Sequence, residues 1–223
     1  MRTRTLRTGL LTLAIAAALT ACGSDDGSAG ENGEESSAAE ISAGQAEDEG
    51  TVLDTPFAKP ELVLTDTEGQ PFDLVEETAG HPTLLYFGYT NCPDVCPLTM
   101  SNIAVAASNV LTPEQRAELR VVFVTTDPER DTPESLGAWL DGVDPEFIGL
   151  SGDFERIQEA ARSVGVAIEP SYEEENGDIV STHGTQVLAF LPGDDMGHVL
   201  YTEGVTLETF ERDLPRLTEG ELP

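Results

Sequence analysis

The sequence predicts an α/β domain with a mixed sheet layered between helices, and three observations predict it. Two continuous apolar runs, Thr83 to Tyr89 and Val121 to Thr125, read as strands buried on both faces. Amphipathic stretches with helix start signals alternate with these runs, the pattern of strands joined by crossover helices. The chain then ends in two strand-like runs around Pro192-Gly193-Asp194-Asp195 and one more helix, so a terminal hairpin adds antiparallel pairing.

Taken in order, Leu62 to Thr65 and Pro71 to Leu74 flank the turn Asp66-Thr67-Glu68-Gly69 and read as a β-hairpin. After the first apolar strand, Pro97 to Val110 has helical spacing through Leu98, Ile103, Ala106 and Val110, with Pro97 as the opening residue. Thr112-Pro113-Glu114 starts a short helix to Leu119, and Thr132-Pro133-Glu134 starts another to about Leu140. Ile148 to Leu150 is a short strand, and Phe154 to Val164 is an amphipathic helix stopped by Gly165. Val187 to Leu191 and His198 to Thr202 form the terminal hairpin, and Leu207 to Leu214 the last helix.

The N-terminus speaks to compartment. Arg2, Arg4 and Arg7 precede an apolar stretch, Leu10 to Leu19, that is too short to span a bilayer. It ends in Leu19-Thr20-Ala21-Cys22, which resembles a bacterial lipobox: residues 1–21 are the expected signal peptide and Cys22 the expected lipidated N-terminus. Residues 22–50 read as an acidic tether, since positions 23 to 50 hold nine Asp or Glu, no Lys or Arg, and one large aliphatic, Ile41. Such a stretch lacks the apolar surface to offset its ordering entropy. The folded domain is expected over residues 51–219. The expected location is the extracytoplasmic face of the bacterial cell membrane.

Charge narrows the partners. The chain has 42 Asp plus Glu against 11 Lys plus Arg, and Lys59 is its only lysine. Nucleic acid and anionic headgroups both need basic patches, so neither is an expected ligand of the domain. Acidity of this size suits a basic partner surface or serves solubility and salt adaptation.

The chain has three cysteines. With Cys22 assigned to lipid, Cys92 and Cys96 remain as one close pair, which excludes a disulfide-rich scaffold. A disulfide across so short a loop would remove little chain entropy, so the pair reads as a working site. Both thiols lie where a central strand ends and a helix begins, a usual place for a site in such sheets. The positive end of the helix dipole there favours thiolate. On a helical turn their i, i+4 spacing would put the Cβ atoms roughly 5–6 Å apart, close enough to share a metal ion. The residues by themselves leave redox exchange and soft-metal binding both open.

Three blocks together settle on a family. Tyr86-Phe87-Gly88-Tyr89-Thr90-Asn91-Cys92-Pro93-Asp94-Val95-Cys96-Pro97, then Asp127-Pro128-Glu129-Arg130-Asp131-Thr132-Pro133, then His183 resemble the SCO/SenC family over about residues 55 to 217. The resemblance implies a thioredoxin-like fold and a role in loading copper into cytochrome c oxidase. It also implies Cys92, Cys96 and His183 as metal ligands, with Asp127 and Arg130 near the site. Two thiolates suit Cu(I), and an added imidazole makes a set able to hold Cu(II) as well. Zinc is the competing metal, since two cysteines, one histidine and a water also make a zinc set.

The expected function is therefore a membrane-anchored copper chaperone. Its acceptor would be the copper domain of cytochrome c oxidase subunit II or another copper chaperone. The alternative is a thiol–disulfide reductase, with Cys92 attacking and Cys96 resolving, or less plainly a thiol peroxidase. Asp127 is a candidate for orienting the metal loop. His81, His198, Met100, Asp94 and Trp139 are read as surface, loop or core residues.

Overall fold

The computed structural model describes residues 49–173, 177 and 179–223. The expected signal peptide, Cys22 and nearly all of the tether lie outside the described residues. Described elements run in the order β1 (Thr51–Ala58), β2 (Val63–Asp66), β3 (Pro71–Asp73), α1 (Leu74–Glu77), β4 (Thr83–Gly88), α2 (Val95–Val110), α3 (Pro113–Glu118), β5 (Arg120–Thr125) and α4 (Pro133–Asp141). They continue with β6 (Ile148–Ser151), α5 (Phe154–Ser163), β7 (Tyr172–Glu173), β8 (Ile179–Val180), β9 (Val187–Phe190), β10 (Met196–Tyr201) and α6 (Leu207–Thr218).

Eight strands form one mixed sheet in the order β1-β10-β9-β4-β5-β6-β2-β3, and β7 pairs with β8 separately. The strands β4, β5 and β6 are parallel neighbours, while β9 lies antiparallel to β4 with Tyr86 opposite Val187. Side chains alternate between two cores, as the period of a strand requires. Leu84 and Tyr86 of β4, Val121 and Phe123 of β5, and Val187 and Ala189 of β9 pack with α2, α4 and α6 on one face. Their neighbours Leu85 and Phe87, Val122 and Val124, and Leu188 and Phe190 pack with α1 and α5 on the other. The expected apolar runs are thus strands buried on both faces, and the layered mixed α/β reading holds.

Several boundaries differ, each for a local reason. The hairpin forms with Val63 opposite Asp73, but Leu74 turns inward as the first residue of α1, capped by the Asp73 side chain. Pro97 does not open α2. Asp94 accepts a hydrogen bond from the Val95 N–H and starts the helix at Val95, leaving Pro97 third, where its missing N–H is still not needed. Leu98, placed on the apolar stripe by spacing, is 62% exposed. The last helix continues past Leu214 through Pro215 to Thr218, drawn down by buried Leu214 and Leu217. Edge strand β1 carries no clear alternation; its pairing with β10 shifts register between Val52 and Phe57.

Candidate metal centre

The strand β4 delivers the thiols. It ends at Gly88, where a Cβ would come within 2.9 Å of the Cys96 sulfur and 2.6 Å of the Tyr86 ring, so only glycine fits beneath the site. A turn closed by the Cys92 N–H to the Tyr89 carbonyl (3.3 Å) carries the first thiol. Cys92 therefore stands in the loop rather than on the helix, and Cys96 is the second residue of α2. Both are buried, at 6% and 0% exposure, and the two thiols are not bonded to each other.

His183 arrives from the loop before β9, which runs beside the end of β4. The Gly184 N–H donates to the Phe87 carbonyl at 3.0 Å. A Cβ at Gly184 would meet Val166 Cγ1 at 2.7 Å, so glycine relieves crowding beside His183. His183 Nδ1 lies 2.9 Å from the Gly184 carbonyl oxygen. A carbonyl can only accept, so Nδ1 carries a hydrogen, and Nε2 is the ring nitrogen left to serve as a ligand on the side of the thiols. Nε2 is 4.0 Å from Cys92 Sγ, and one ligand atom from each of Cys92, Cys96 and His183 lies within 4.8 Å of the others. Among the described residues this is the one such group of His, Cys, Asp and Glu side chains found.

The two thiols differ. The Cys96 N–H points at Cys92 Sγ at 3.4 Å. Burial pushes the Cys96 thiol up to about 12, although the Tyr86 hydroxyl donates to its sulfur at 3.4 Å. The expected dipole effect at the helix N-terminus is thus outweighed at Cys96, because desolvation penalises the charged form more. Burial and the neighbouring sulfurs likewise hold the Tyr86 hydroxyl protonated. The Tyr89 ring tilts against the His183 ring with centroids 5.6 Å apart.

Two buried carboxylates hold the loops. Asp127, 2% exposed, touches none of the three candidate ligands. It pairs with Arg130 and accepts from the Ser181 hydroxyl at 2.9 Å, two residues before His183. Arg130 Nη2 donates to the same Ser181 oxygen at 2.9 Å. Asp127 thus orients the histidine loop through Ser181. Asp131, not singled out by sequence reasoning, is the counterpart for the thiol loop. Its carboxylate accepts from the Thr90 N–H (2.9 Å) and hydroxyl (2.5 Å) and from the Thr125 hydroxyl (2.7 Å). It lay inside the quoted Asp127–Pro133 block, so the block was the available signal. Tyr86 was also missed, hidden within an apolar strand.

The remaining candidates stay outside the centre. His81 pairs with Glu118 and His198 with Asp194. Met100 is fully buried in the core, and Trp139 packs on Phe123 at 5.1 Å. Asp94 has a definite task as the cap of α2.

Fold and site together define a class: a thioredoxin-like domain with a thiol pair at the strand-to-helix turn and a histidine facing it. Comparison with known proteins narrows that class. The SCO1/SenC family model matches residues 51–214, and the chain belongs to that family. It is 35% identical over 176 residues to a Stutzerimonas stutzeri protein named for copper binding, covering 78% of this chain and 84% of that one. It spans less than half the length of the human and mouse mitochondrial SCO1 homologues. Among solved structures, apo Sco1 of Thermus thermophilus superposes with TM-score 0.65 at 30% identity, covering 76% of this chain and 95% of that one. Copper-bound ScoI of Bradyrhizobium japonicum superposes with TM-score 0.58 at 30% identity, covering 73% and 98%.

Proposed function

We propose that this protein is a copper chaperone, carrying one copper ion as cargo on Cys92, Cys96 and His183 and assisting copper-centre assembly of cytochrome c oxidase. The observation that carries the reading is the convergence of two sulfurs and one imidazole nitrogen within 4.8 Å. Two soft thiolates and a third nitrogen donor suit copper in either oxidation state. The three-donor set falls one short of the closed tetrahedral set of structural zinc. Family membership and the copper named for its relatives point the same way.

Copper would leave by ligand exchange, with acceptor thiolates displacing Cys92 and Cys96 one at a time. Each thiol that takes copper gives up its proton to solvent, and burial makes that release harder at Cys96 than at an ordinary thiol. The acceptor is the copper domain of oxidase subunit II or another copper chaperone. Cys22 would carry the lipid that holds the protein on the extracytoplasmic membrane face.

A second reading is favoured by one observation, the asymmetry of the thiols. Cys92, with an N–H aimed at its sulfur, fits an attacking thiolate, and buried Cys96 a resolving thiol. In that reading Cys92 attacks a substrate disulfide and forms a mixed disulfide. Cys96 then displaces the substrate thiol, leaving Cys92–Cys96 oxidised and the substrate reduced.

His183→Ala separates the two. It should lose copper in a chelator competition yet still reduce a small disulfide, whereas Cys92→Ser and Cys96→Ser should each lose both activities. Wild-type copper retention by His183→Ala would overturn the ligand assignment.

A further inference from the structure

An open groove of about 420 Å³ lies between the first turns of α2 and the connection from β10 to α6. Its apolar surface comes from Val95, Leu98, Val205 and Leu207, and Asp94 and Glu203 supply its charge; no Lys, Arg or His lines it. Leu98 is the most exposed large hydrophobic side chain among the described residues, at 62%. It stands two residues after Cys96, and Asp94 two residues after Cys92, so the groove lies at the same end of α2 as the thiol pair. Nothing in the folding of the domain requires a leucine there: the helix is capped by Asp94 and anchored through Cys96, Met100 and Ile103, all fully buried.

We infer that this groove is the docking surface for a protein acceptor. It would receive a segment with one large apolar side chain flanked by lysine or arginine, next to the acceptor's own cysteines. The inference rests on the reading of Cys92 and Cys96 as the point of exchange. Charge selects the occupant. A second copy would bring together two chains of formal charge −31, and an anionic membrane surface would be repelled by the same acidity. A basic segment is attracted at long range, which steers its approach. Covering Leu98 then supplies the short-range gain, since exposed apolar surface beside polar rims marks interaction sites.

The test uses the full chain, reduced and metal-free, and two labelled cysteine-free peptides, one carrying Lys-Leu-Lys and one Glu-Leu-Glu. Fluorescence anisotropy at low salt reads binding. The Lys-Leu-Lys peptide should bind at least about tenfold more tightly than the Glu-Leu-Glu peptide. Leu98→Gln and Glu203→Lys should each weaken it about tenfold, the ratio that corresponds to about 1.4 kcal/mol. Both variants should take up copper as the wild type does. Because the peptides lack thiols and the protein lacks metal, copper uptake by the same samples reports separately on the metal reading. Equal binding of both peptides, or unchanged binding by Leu98→Gln, would overturn the docking surface. So would a dimer or binding to anionic vesicles that is abolished by Leu98→Gln.

Discussion

Ser181→Ala tests how the fold presents its histidine. Ser181 is 5% exposed, and its hydroxyl joins Asp127 (2.9 Å), Arg130 (2.9 Å) and Ser171 (2.7 Å) two residues before His183. Alanine removes all three contacts while the Asp127–Arg130 pair remains. Hydrogen bonds to charged groups contribute about 1.5–3 kcal/mol each, but the two partners keep each other, so the loss should lie near the lower figure. If the histidine loop must be closed to hold copper, that loss weakens copper retention by at most about tenfold, through a smaller binding-competent fraction. Competition against a Cu(I) chelator reads the change, and reduction of a small disulfide should be unaffected. The effect must also vanish in a His183→Ala background, because Ser181 acts only through His183. Wild-type retention by Ser181→Ala, or a further loss in the double variant, would refute the reasoning.

Other outcomes follow from the same geometry. Gly184→Ala must move a loop whose new Cβ would sit 2.7 Å from Val166, so thermal unfolding should show a loss of about 1–3 kcal/mol together with weaker copper retention; unchanged stability would contradict the close approach. Burial raises Cys96 to about 12 and also raises Tyr86 and Tyr201 above the ordinary tyrosine range. These groups bind protons more tightly folded than unfolded, so their contribution is complete below about pH 8.5, the ordinary thiol value, and lost as pH rises toward 12. The urea midpoint of the reduced, metal-free protein should therefore fall through that window, and a midpoint that rises would contradict the assignment. Cys22→Ala should release the protein from membranes without altering copper stoichiometry; full oxidase activity with this unanchored form at limiting copper would show the tether to be dispensable.

What was legible in the sequence follows from what each feature depends on. The runs around Leu85 and Val122 announce themselves because strands buried on both faces have no polar alternation. Thr112 and Thr132 mark helix starts because capping is local chemistry. The edge strand β1 was invisible because its alternation is broken and its partner, β10, lies some 140 residues away. Leu98 looked like core because spacing assigns a face but not what covers it. At the site, the three candidate ligands were readable from motif blocks. Their supports were not, since Asp131 reaches Thr90 and Asp127 reaches Ser181 only once the chain is folded. The raised Cys96 was likewise hidden, because desolvation depends on the whole of the packing around it.

The central claim is that both sulfurs and the imidazole hold one copper ion. Its most direct test is copper titration of the full-length protein, reduced and oxidised in parallel, followed by visible and EPR spectra. The reduced protein should hold one copper tightly per monomer, and none should bind at this site once Cys92 and Cys96 form a disulfide. Equal copper uptake by the two forms would contradict it.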